Sequence, residues 1–104
     1  MIKVMFRMEK NSRTGEEEAL AIFPELPGTN DPATCLCYAH RGQHSSADTA
    51  SAIRATRLAK PTEYTPLLAE LRAHGYVDLR IVTRTPAGAY VARWRAVHLQ
   101  EASK

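Results

Sequence analysis

No stretch of this 104-residue sequence approaches the roughly 18 consecutive apolar residues that a membrane-spanning helix needs. The N-terminus, MIKVMFRMEK, has no apolar h-region and no small-residue cleavage site, so it reads as no secretion signal, and the cytoplasm is the expected compartment. Cysteine is scarce: Cys35 and Cys37 are the only two. At i and i+2 on a strand their Cα atoms would lie about 7 Å apart, at the edge of bridging geometry, so two reduced thiols are expected. A dominant charge of one sign is also missing. The formal net charge of +3 and pI near 9.1 permit an acidic partner without requiring one, because the cations are spread along the chain. There is no internal repeat and no low-complexity tract. There is no phosphate-cradling loop, no G-x-S-x-G and no H-E-x-x-H, which removes the best-marked catalytic classes.

What remains is an ordinary globular composition, 44% apolar and 24% charged, with a length that fits one domain over residues 1–104. A chain of this size can bury roughly two-thirds of the surface its unfolded form exposes. Residues 2–8 alternate, with Ile2, Val4, Phe6 and Met8 on one parity, and predict a strand with one buried face. Residues 18–23 are apolar on both parities, as in a central strand. Pro24, Pro27, Gly28 and Pro32 mark a loop. Residues 34–40 predict a third strand, with Cys35, Cys37 and Ala39 opposed to Leu36, Tyr38 and His40. Residues 43–53 are small and polar, and Asp48 is placed to cap a short helical turn. Tyr64, Leu67, Leu68 and Leu71 form a helical stripe within 61–74, and Gly75 stands at its C-terminal cap. Pro66 fits the first helical position if Thr65 is the cap; a start at Pro61 puts it inside the helix. Residues 76–84 predict a strand. Residues 89–101 carry Tyr90, Trp94, Val97 and Glu101 at helical spacing, with a strand over 90–97 as the alternative, and 101–104 should fray. The expected fold is α+β: a single two-layer domain, a mainly antiparallel sheet of about four strands, and one or two helices on one face, in the order βββαβ and then α.

Chemistry-bearing side chains concentrate in CLCYAHRGQHSSAD, residues 35–48. Cys35, Cys37, His40 and His44 have the softness for zinc. Their C-x-C-x2-H-x3-H spacing is unusual, and strand geometry sends both thiols to the face opposite His40, so core cysteines are the stronger reading. His40, His44 and Asp48 would share a helical face as a metal triad, but Gly42 disfavours that helix. A Cys–His nucleophile pair meets the same parity objection. The simplest reading of His40 and His44 is a hydrogen-bonded turn. Elsewhere, if the first and fourth strands are neighbours, Lys3, Arg7, Arg80 and Arg84 would line a basic face, extended by Arg93, Trp94 and Arg95. Such a face could hold nucleic acid, although a solvated outer face is the commoner case.

The segments EALAIFPELP, CLCYAHRGQHSSAD, ATRLAKPTEYTPLLAEL and GYVDLRIVTR, in that order, resemble a family of small uncharacterised proteins of phages, plasmids and proteobacterial genomes. The likeness covers roughly residues 2–84, and the G-Q-H-x-x-A-D block is its specific part. It matches Phe6, Arg7, Phe23, Pro24, Cys35, Tyr38, His40, Gly42, Gln43, His44, Ala47 and Asp48, then Pro61, Glu63, Tyr64, Gly75 and Tyr76. Cys37 stands where the family has serine, Lys60 replaces a threonine cap, Pro66 lies inside the matched helix, and residues 85–104 extend beyond it. The resemblance implies a mobile-element setting and no particular reaction.

Together these readings favour a non-enzymatic binding or accessory protein. Its site would be Tyr38, His40, Gln43, His44 and Asp48, with no cofactor and no membrane. The partner would be a macromolecule, protein ahead of nucleic acid. The alternatives are a nucleic-acid binder using the basic face, and a metal-binding module or metal-dependent hydrolase using Cys35, Cys37, His40 and His44.

Overall fold

The computed structural model describes residues 1–39 and 43–102, with the side chains of 43 and 100–102 outside the description. Strand β1 runs Ile2–Lys10, β2 Glu17–Phe23, β3 Thr34–Ala39 and β4 Gln43–Asp48. Helix α1 (Thr49–Arg54) follows at once, then β5 (Arg57–Leu58), α2 (Pro61–Ala73), β6 (Leu79–Ile81) and α3 (Ala89–Ala102). The fold is α+β, and the sheet is antiparallel in the order β4-β3-β2-β1-β5. β6 adds the one exception among the described strands: it pairs parallel to β1, Ile2 beside Leu79 and Lys3 beside Arg80. β5 and β6 thus divide the outer edge of β1 between them.

The sheet is buried on both sides. Val4, Phe6, Met8, Ala21, Phe23 and Tyr38 form one core with Leu67 and Leu71 of α2. The expected stripe is the one used: Tyr64 stacks on Phe6 with centroids 4.5 Å apart, and Leu68 packs against the same core. Met5, Leu20, Ile22, Cys35 and Cys37 form the second core, packed by Ala52 and Ile53 of α1 and by Val82. Helices on one face and a β1 buried on one face were expected. Met5 at 1% exposure shows that β1 is covered on both.

α2 starts at Pro61 with Lys60 as its cap, which leaves Pro66 inside the helix. Pro66 deprives the Thr62 carbonyl of its usual intrahelical donor. The start is secured from the acidic side: the Glu63 carboxylate accepts from the Lys60 N–H at 2.9 Å, while a lysine ammonium has no acceptor to offer in return. Gly75, with φ 101, closes the helix. Tyr76 N–H donates to the Leu71 carbonyl and Gly75 N–H to that of Arg72, both at 3.1 Å, a Schellman motif. The reversal sends Tyr76 back onto the sheet, where it stacks on Phe23 with centroids 5.2 Å apart.

Other expectations need correction. Residues 43–48 are a strand, not an irregular polar segment, while Asp48 does cap α1 by accepting from Ser51 N–H at 3.0 Å. The strand expected over 76–84 is only Leu79–Ile81, and Val77 is 86% exposed. Residues 89–102 are helical, but the buried stripe is Ala89, Arg93 and Val97; Tyr90 and Trp94 face outward. Arg93 is the surprise. Buried, it donates from Nε to the Pro32 carbonyl (2.7 Å) and from Nη1 to the Pro24 carbonyl (2.6 Å), tying α3 to the proline-rich loop. That loop lies close on the sheet: a Cβ at Gly28 would come within 2.4 Å of the Ser46 Cβ and 2.6 Å of the Cys35 carbonyl oxygen.

Candidate functional site at the β4 edge

β4 pairs with β3 so that His44 lies opposite Tyr38 and Ala47 opposite Cys35. Period-two geometry then sends Tyr38 and His44 to the α2 face and the thiols to the other. The Tyr38 ring is buried and its hydroxyl donates to Glu70 Oε1 at 2.7 Å. Burial, then the hydrogen bond to the Glu70 carboxylate and its charge, pushes the phenol up to about 12. His44 meets the Tyr38 ring edge-on, centroids 4.8 Å apart, and His74 flanks the same ring at 5.6 Å. The exposed His44 Nε2 and the Tyr76 hydroxyl are 2.9 Å apart. Two imidazoles and two phenols therefore gather where the edge strand meets the C-terminus of α2. His44, His74 and Tyr76 border an open groove of about 460 Å³, lined also by Met1, Ile2, Gly75, Val77 and Asp78, with Tyr38 buried beneath. The N-terminal ammonium and Asp78, 3.3 Å apart, form a charged rim.

Of the residues expected in the site, Tyr38 and His44 come together. Asp48 does not join them; its carboxylate is engaged at α1, and the Ser51 side chain and N–H hold it below the usual carboxylate range. His40 and the Gln43 side chain lie outside the described residues. His74, Tyr76 and Glu70 were not foreseen in the site. The signal for Tyr76 was present: a glycine cap at 75 forces a chain reversal, and the next residue must land on whatever the helix packs against.

The zinc alternative fails on geometry. Cys35 and Cys37 are free, fully buried and on the face opposite His44. Among the described residues no group of three or more potential ligands converges. The nucleophile alternative fails with it, since both thiols are sealed in the core and lie on the face away from His44. The basic face is broken. Arg7 donates to the Ile53 and Thr56 carbonyls and the Thr56 hydroxyl, Arg93 is buried, and Lys3 pairs with Glu25 at 3.5 Å. Arg80 and Arg84 stay exposed and share with Lys3 a depression of about 370 Å³.

No family model, no curated protein and no solved structure matches the chain. Among the described residues no helix is long and apolar enough to cross a membrane.

Proposed function

We propose that the protein is a non-enzymatic binding module of a phage- or plasmid-like element. It acts in the cytoplasm and recognises a macromolecule, a protein ahead of nucleic acid, through the groove beside the β4 edge. The observation that carries this reading is the His44–Tyr76 contact. It places a donor–acceptor pair in the open, next to the apolar lining of Met1, Ile2 and Val77, in the mix of apolar surface and few polar groups that binding grooves use. The Tyr38 hydroxyl is committed to Glu70, and the thiols are sealed on the other side of the sheet, so the groups in reach are recognition groups rather than a nucleophile with its base.

The test is capture from host lysate, nuclease-treated, with the protein and with a His44→Ala, Tyr76→Phe double variant. The second substitution removes a hydroxyl and keeps the ring that stacks on Phe23, so melting should be little changed while partner recovery falls at least about tenfold, or roughly 1.4 kcal/mol. Equal recovery by the double variant, or no partner for either, removes the reading. The nucleic-acid reading keeps one specific support, the Lys3, Arg80 and Arg84 depression. It requires retention on DNA or RNA that falls steeply with salt and weakens in Arg80→Gln, Arg84→Gln.

A further inference from the structure

The two borders of the sheet are finished differently. Among the described residues only β5 and β6 lie beyond β1, two and three residues long, the short edge strands that blunt lateral association. The opposite border is β4, six residues, QHSSAD, with no lysine, no proline and a continuous register to β3.

The register fixes which backbone groups of β4 are free. Thr49 N–H donates to the Ala33 carbonyl at 3.0 Å, and position 49 stands opposite 33 if the β3–β4 pairing is continued by one residue. In an antiparallel pair the hydrogen-bonded positions alternate. Ala47, Ser45 and Gln43 therefore turn their N–H and C=O groups toward β3, while His44, Ser46 and Asp48 turn theirs outward. The N–H groups of His44, Ser46 and Asp48 have no backbone acceptor among the described residues. The Asp48 carbonyl, at the cap position, opens α1.

Those three positions are symmetric about Ser46. We propose that the outer edge of β4 pairs with the same edge of a second copy, antiparallel about a two-fold axis at Ser46. Ser46 then exchanges backbone bonds with Ser46 of the second copy in both directions, and each Asp48 N–H donates to the other copy's His44 carbonyl. The side chains are complementary in the same register. Each His44 faces the Asp48 carboxylate of the second copy, opposite in charge to a protonated imidazole, and the small hydroxyls of Ser46 meet on the axis. This is a self-complementary, closed contact, as a two-fold requires. Because His44 borders the groove, the second copy brings an Asp48 carboxylate to each groove's mouth and sets two grooves on one face of a continuous sheet. A strand edge buries less than a full face, so the association is weak and concentration-dependent.

Sedimentation of the purified full chain across roughly a thousandfold range of concentration tests this without any partner present. The mass should rise from 11.6 kDa toward twice that value. Amide exchange at His44, Ser46 and Asp48 should slow with concentration, while Ser45 and Ala47, already bonded to β3, should not respond. Ser46→Pro removes an outward N–H and no ladder bond, and Ser46→Lys opposes like charges on the axis; each should weaken association at least about tenfold. Melting of both variants at low concentration confirms that they fold. A mass fixed at 11.6 kDa throughout, a dimer that survives both folded variants unchanged, or protection that grows elsewhere would overturn the proposal.

Discussion

The two faces of the sheet are closed by different chemistry. On the α2 face large rings carry the packing: Phe6 on Tyr64, Phe23 on Tyr76, and Tyr38 between two histidines. On the other face the core is methionine, aliphatic residues and two thiols; apart from both cores, the buried Arg93 guanidinium holds the proline-rich loop. The first face depends on shape, whereas the join between α3 and the loop depends on donors for the Pro24 and Pro32 carbonyls. Among the described residues the candidate site lies on the first, where the aromatic layer reaches the edge and ends in His44 and Tyr76.

That contrast can be broken from either side. The largest loss should come from Phe23→Ala, which empties a fully buried ring site and should cost about 3–5 kcal/mol in urea unfolding. Arg93→Met keeps much of the apolar stem but strands the Pro24 and Pro32 carbonyls, and should cost about 2–4 kcal/mol by the same measurement. A loss as small as that of an exposed arginine would mean that the proline-rich loop does not need its strut. Tyr38→Phe should be milder and should show in the alkaline limb. With the phenol raised to about 12, its contribution is complete below the unfolded value near 10 and disappears as pH rises from there through 12. The variant should lose that part of the pH dependence. The smallest effect belongs to the exposed Arg57, which bridges Glu17 and Glu63. Hydrogen bonds from Arg57, then from the Lys60 N–H, lower Glu63 to about 2, so its contribution is present above roughly 4.3 and fades as pH falls toward 2. Arg57→Gln should flatten the acid limb of a melting-temperature series.

The parts legible in the sequence were those set by local periodicity. The alternation of residues 34–39 separated the thiols from Tyr38, and the leucine stripe of α2 was used as spaced. β4 was not legible because QHSSAD has no apolar alternation; it is a strand because β3 offers it a ladder, a tertiary cause. The face of α3 was misjudged because Trp94 outranks arginine on any hydropathy count, whereas the fold needed the donors of Arg93. The candidate site was half legible: Tyr38 and His44 sit in one block, but His74 and Tyr76 arrive from a helix end some thirty residues away in the chain.

Gly28 and Gly75 look alike in the sequence and will tolerate drift by opposite rules. Gly75 needs a left-handed backbone with open space around it, so asparagine is an acceptable successor there. Gly28 needs room, because a Cβ there would run into Ser46 and the Cys35 carbonyl, and no side chain of any shape meets that demand. A lineage can therefore replace the first without remodelling its neighbours, while the second ties the proline-rich loop and the β4 border into a unit that can only change together.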